Sequence, residues 1–207
     1  GALPFPLDLV GVTGFVAVVL VCLQAHRGRV AQAAGEAAGW RELTREALVL
    51  AVLAGFMIPF LSGDLFSTLA YAELVVKPSV DPFTLPAPGL AGSSVLPFLS
   101  PRWREAPCVY GPLQLLFWSP AAWFAASLPT ALAVAKLLAV GAAAGTPALL
   151  RRHCSTPDGP GPAAFAAVAL SPVLWVEGAG QAHGDVLVGL LFAAWLLASR
   201  RRGVVLA

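Results

Sequence analysis

Two short stretches of the chain hold the side chains best suited to acid/base work. The first is Leu61-Ser62-Gly63-Asp64-Leu65-Phe66-Ser67-Thr68-Leu69-Ala70-Tyr71, directly after an apolar run. If it is helical, Asp64, Ser67 or Thr68, and Tyr71 share one face through i, i+3/i+4, i+7 spacing. A carboxylate so placed can take a proton from a hydroxyl. It can equally cap an interfacial helix, and Ser62 competes for that role. The second stretch is Glu177-Gly178-Ala179-Gly180-Gln181-Ala182-His183-Gly184-Asp185. Histidine and carboxylate two residues apart suit a metal or a phosphate. Its glycines and small residues let backbone amides approach an anion closely. No third metal ligand is local, which weakens the metal reading. A satisfied polar turn between two helices is the plain alternative.

Further polar groups lie between these stretches. Lys77-Pro78-Ser79-Val80-Asp81-Pro82-Phe83 has two X-Pro steps and reads as a rigid turn ending a helix. Arg102, Trp103, Arg104 and Glu105 mix charge with an aromatic. The arginine forks suit a phosphate, or anchor the loop at lipid headgroups. Tyr110-Gly111-Pro112 opens the next apolar segment, with proline at the first helical position.

The elements that position these groups follow from composition. Of 207 residues, 58% are hydrophobic and 12% charged, and the mean hydropathy is +0.79. Soluble domains carry about 25% charged residues. An ordinary cytosolic globule and a disordered chain are therefore excluded. The net charge of +2 offers no basic face, so no nucleic-acid partner is expected. Cys22, Cys108 and Cys154 are far apart and imply neither a zinc knuckle nor a disulfide framework.

The apolar residues come in runs: Leu7 to Leu23, Ala47 to Leu61, Pro112 to Leu128, Pro129 to Leu150, Ala163 to Val176 (interrupted by Pro172) and Val186 to Ala198. The expected fold is all-α, a polytopic transmembrane helix bundle. A long extracytoplasmic loop, 62–111, carries short interfacial helices; its proline density forbids one long helix. The basic clusters at 26–45, 151–153 and 200–202 belong in the cytoplasm by the positive-inside rule, which puts both polar stretches outside. Parity then makes Pro112 to Leu128 an interfacial or re-entrant segment, and its Trp118 and Trp123 suit the interface. The spans are nearly free of charge, Lys136 being the exception. One membrane domain covers 1–207. It starts at Gly1 and stops within a new apolar stretch, so it reads as the N-terminal part of a longer chain.

Taken in order, these segments resemble the polytopic glycosyltransferases of the GT-C class, above all bacterial polyprenyl-phosphate-mannose-dependent mannosyltransferases. The residues that carry the likeness are Ser62-Gly63-Asp64 through Tyr71, Asp81-Pro82-Phe83, Trp103, Tyr110-Gly111-Pro112, and Glu177 through His183-Gly184-Asp185. Together they cover residues 46 to 200. The chain departs from the pattern where Asp81 and Phe83 replace Asn and Tyr, where Ala72 replaces Gly, and where Gly184 replaces Asn.

The resemblance implies sugar transfer, mannose first among candidates, from a polyprenyl-phosphate donor to a glycan or lipid-linked acceptor. The reaction is inverting, on the extracytoplasmic side, with Asp64 as general base. Arg102, Arg104 or His183 would neutralise the departing phosphate. Tyr71, Asp81, Tyr110, Glu177 and Asp185 would position substrate hydroxyls. No metal site is assigned and no cofactor is required, while a divalent metal, Mg or Mn, stays open. The expected partners are the lipid-linked sugar, the acceptor and membrane lipids, in a multi-pass protein of the bacterial inner (plasma) membrane. The competing reading is a transporter or lipid flippase, which predicts charges deep within the spans; a non-catalytic membrane scaffold is the other.

Overall fold

The computed structural model describes residues 22, 24–34, 39–57, 59, 63–76, 81–84 and 92–201. The apolar run Leu7 to Leu23, Cys22 excepted, and the lysine at 77 lie outside these residues. The ordered elements are helices over 24–34 (α1), Trp40–Phe56 (α2), Asp64–Val76 (α3), Pro101–Arg104 (α4), Pro112–Ala122 (α5), Leu128–Cys154 (α6), Gly161–Ala169 (α7) and Asp185–Arg201 (α8). A 3-10 turn, Leu96–Phe98, precedes α4, and a π-helical segment, Val173–Gly180, follows α7. No strand occurs among the described residues.

The helices bury small residues and expose large apolar ones. In α2, Leu43, Ala47, Ala51 and Ala54 face inward, while Leu48, Val52, Leu53 and Phe56 face out, Phe56 at 84% exposure. In α6 the inward stripe is Ala131, Ala135, Ala139, Ala142 and Ala143, and Leu137 is 73% exposed. In α8, Val188, Leu191, Phe192 and Trp195 are exposed. Water would penalise such a surface, whereas lipid accepts it and alanine stripes let backbones approach closely. Two helical stretches among the described residues, Leu128–Cys154 and Gly161–Gly180, are long and apolar enough to cross a membrane. The second is α7 joined to the π segment. Pro172 breaks the α-helical ladder between them, and the Trp175 indole N–H donates to the Ala169 carbonyl at 2.7 Å, satisfying an acceptor at the break.

Helix α6 is the centre of the bundle and packs against α2, α5, α7, the π segment and α8. It runs antiparallel to α2. At one end Lys136 Nζ reaches the Ala54 carbonyl; at the other, Arg151 Nη1 donates to Thr44 Oγ1 at 3.2 Å. The fifteen residue-to-residue steps from Lys136 to Arg151 rise about 22 Å. One end of the bundle therefore carries Arg41, Arg45, Arg151 and Arg152, and the other leads into Asp64 and His183.

Helix α5 has eleven residues and a rise of about 16 Å, half a hydrocarbon core. It is too short to cross alone, and the chain turns at 123–127 before α6. It packs against α3, which also contacts the 3-10 turn. Element boundaries differ from the apolar runs at several ends. Helix α2 starts at Trp40, seven residues before its apolar run, because the polar first turns fold with it and Arg29 of α1 pairs with Glu46. The turn expected over Glu177–Asp185 is shorter, since Glu177 to Gly180 continue the π segment.

Candidate functional site

Asp64 is the first residue of α3. The helix begins against Gly63, whose carbonyl accepts from the Ser67 backbone N–H at 3.2 Å and from Ser67 Oγ at 3.3 Å. A carboxylate in a first helical turn is favoured by the helix dipole. Here it also points across the fold. Asp64 Oδ2 lies 3.0 Å from His183 Nε2, joining residues 119 apart in sequence.

The His183 turn is built tightly. The His183 N–H donates to the Gly178 carbonyl at 2.9 Å, and the His183 and Gly184 carbonyls accept from Val186 and Leu187 at 3.3 and 3.0 Å, starting α8. Ala182 has φ +53°, a left-handed conformation that an L side chain adopts only under constraint. At Gly184 an added Cβ would lie 2.2 Å from Nε2 of Gln114 in α5, so a side chain there requires the glutamine amide to move aside. On its other side the ring faces a second carboxylate, His183 Nδ1 being 3.4 Å from Asp185 Oδ2. The imidazole thus sits between two acidic groups. A neutral ring can donate at one nitrogen only, whereas an imidazolium donates at both. The side chains of Asp64 and His183 are 45% and 31% exposed, so the pair is open to a surface-bound substrate.

Tyr110 completes this corner. Burial pushes its phenol above the ordinary tyrosine value, and the nearby Asp64 carboxylate pushes the same way, opposed by hydrogen bonding to Thr68 and Ser67. Asp64, Tyr110, Ser67 and Thr68 therefore share one polar corner with His183. Ser67 and Thr68 were legible only as alternatives on the Asp64 face, and Gln114 gave no sequence signal at all.

Other candidates are placed elsewhere. Tyr71, expected at substrate, is 1% exposed, and its hydroxyl donates to the Ala106 and Trp103 carbonyls at 2.9 and 3.0 Å. It pins the loop that leads to Tyr110, whose ring lies 6.1 Å away. Burial pushes its pKa up to about 12, with Cys108 and Tyr110 adding to the effect. Arg104 donates from Nε to the Leu99 carbonyl and from Nη2 to the Leu96 carbonyl, at 3.1 and 3.0 Å, closing the 3-10 turn. The Arg102 guanidinium lies 5.4 Å from the Trp103 ring centre. None of the described hydrogen bonds or ion pairs brings either arginine to Asp64 or His183. Asp81 accepts from the Phe83 N–H at 2.9 Å and shapes its own turn. Glu177 is exposed on the π segment, whereas Asp185, 85% exposed at the start of α8, stays beside the His183 ring.

Two grooves lie apart from the pair. One, about 400 Å³, is lined by Thr44, Ala51, Pro147, Arg151, Phe165 and Trp175 at the arginine end. The other, about 270 Å³, adjoins Glu73, Gly92 and Trp123. Glu73 is buried there and accepts from Ser93 Oγ. Among the described residues no three His, Cys, Asp or Glu side chains are grouped to hold a metal ion.

A polar corner at one end of an apolar helical bundle fits an enzyme working on a polar group at a membrane boundary. No curated protein and no solved structure matches the chain. A family profile does, over residues 4–207: alpha-(1->6)-mannopyranosyltransferase, N-terminal domain. The chain belongs to that mannosyltransferase family.

Proposed function

We propose that this chain carries the acid/base half of a GT-C type mannosyltransferase, using a polyprenyl-phosphate-linked mannose as donor. The acceptor is a glycan or a lipid-linked sugar on the extracytoplasmic face. Asp64 takes the proton from the acceptor hydroxyl. The oxygen's electron pair forms the new bond to the anomeric carbon, and the bond to the phosphate oxygen breaks with its electrons on the phosphate. Attack opposite the leaving group inverts the anomeric centre. His183 holds Asp64 in place, and Tyr110 offers its hydroxyl beside the carboxylate.

The observation that carries this reading is the 3.0 Å contact between Asp64 and His183, on a partly exposed pair. General bases need this combination of orientation and access. The side of the membrane is supported by the arginines of α2 and α6, which gather at the opposite end of the bundle. The short α5 supports a re-entrant segment between two crossings, hence a multi-pass bundle. The lipid phosphate draws no support from Arg104, whose fork is engaged by loop carbonyls.

The test uses the intact protein in lipid nanodiscs with polyprenyl-phosphate-mannose and a mannoside acceptor. Asp64→Asn is expected to lower transfer at least about 100-fold, the range of a lost general base, with unchanged membrane insertion. Full transfer by that variant, or movement of substrate across sealed vesicles without any transfer, would overturn the reading.

A further inference from the structure

Lys136 is the one charged residue within the apolar stretch 128–150 of α6, and it is 7% exposed. An ammonium group inside a bundle is costly unless its donors are matched. All three of them are. Nζ donates to the carbonyls of Ala54, Ala179 and Gly180 at 2.7, 2.7 and 2.6 Å. None of the described ion pairs gives it a carboxylate. The charge is answered instead by the C-terminal ends of two helical segments, α2 and the π segment, where helix dipoles are negative and carbonyls that already accept a backbone N–H (Ala54 from Met57 at 3.2 Å, Ala179 from Ala182 at 3.3 Å) keep a second lone pair for the ammonium. One ammonium thus caps two helix ends.

Those two ends lead into the candidate site. Ala54 lies ten residues before Asp64, and Gly180 lies three residues before His183. The gap at Gly180 is tight as well, since an added Cβ would meet Met57 Sδ at 2.9 Å and the Trp175 carbonyl at 3.0 Å. We infer that Lys136 is a positioning residue: by clasping the end of α2 to the end of the π segment, it sets the separation between Asp64 and His183. The inference builds on the Asp64–His183 pair as the working site, and its geometric part holds whatever reaction the pair performs.

Two arms test it on the intact protein in its membrane. In the first, Asp64→Cys and His183→Cys are combined in a chain with Cys22, Cys108 and Cys154 changed to alanine. A short bifunctional thiol-reactive reagent, a bis-methanethiosulfonate whose two sulfinate groups leave as the disulfides form, then reports their proximity. A second pair, Thr146→Cys with Gly189→Cys, reports the α6–α8 contact, where Thr146 Oγ1 lies 3.7 Å from a Cβ built at Gly189. Adding Lys136→Met or Lys136→Gln is expected to cut cross-linking of the first pair and to spare the second. Unchanged cross-linking of the first pair overturns the proposal. So does loss of both pairs together, which would make Lys136 a stabiliser of the whole bundle.

In the second arm, with native cysteines and polyprenyl-phosphate-mannose, Lys136→Met is expected to lower kcat about 100-fold, the scale of an ångström-sized misplacement, with the donor KM nearly unchanged. Lys136→Arg keeps donors and charge and is expected to recover most of the rate. A change in KM alone, or no recovery with arginine, counts against positioning. If the parent protein shows no transfer from this donor, the proposed reaction fails while the cross-linking arm still decides the role of Lys136.

Discussion

Replacing Asp64 and His183 singly and together separates two roles for the histidine. In one it orients the base; in the other it meets the departing phosphate directly. Loss of the general base by Asp64→Asn costs about 10³-fold in kcat/KM, mid-range for such groups. The His183 contribution follows from its bond to Asp64, 3.0 Å long between side chains 31% and 45% exposed. A hydrogen bond to a charged group contributes about 1.5–3 kcal/mol, and this exposure selects the lower end, a factor of about ten in rate. If His183 acts through Asp64, that factor disappears once the carboxylate is gone. Asp64→Asn/His183→Ala is then expected to match Asp64→Asn alone, leaving a coupling of about 1.5 kcal/mol. The assay is initial-rate mannose transfer in nanodiscs below donor saturation, with insertion checked by protease protection. A double variant about tenfold worse than Asp64→Asn would show independent contributions and refute the reasoning.

Two further predictions concern the supports of this corner. Tyr71→Phe leaves the Trp103 and Ala106 carbonyls without their donor and is expected to cost about 1–2 kcal/mol of stability, measured as the unfolding midpoint in detergent. The folded chain holds the Tyr71 proton to about pH 12, above its ordinary value of 10.0, so it binds more protons than the unfolded chain in that window. Wild-type stability should therefore fall by up to about 3 kcal/mol between those pH values, and the phenylalanine variant should lack that component; equal slopes would reject the assignment. Ala182→Gly relieves a left-handed backbone and should raise stability by about 0.5–1 kcal/mol without loss of transfer, while Ala182→Val should lower both. A glycine variant less stable than the parent would count against strain at this turn.

Much of the architecture is legible from apolar periodicity and punctuation. Long low-charge runs, proline at the starts of α5 and α6, and arginines near helix ends suffice to place most helices. Asp64, His183 and Asp185 are legible as candidates only, because a helix cap and a polar turn account for the same residue types in the same places. Helix ends were less legible, since the first turns of α2 are polar and Pro172 led to a π segment that continues through Glu177.

Local pattern fixes residue type and spacing along one element, and so this sequence alone determined an all-helical, lipid-compatible chain with two acidic outposts. It carries no record of which side chain meets which carbonyl a hundred residues away. Only tertiary packing turned Tyr71 inward and tied Arg104 to its own loop. The same packing set Asp64 against His183 and gave the Lys136 ammonium the ends of two helical segments, because each of these contacts depends on where separate helices stop relative to one another.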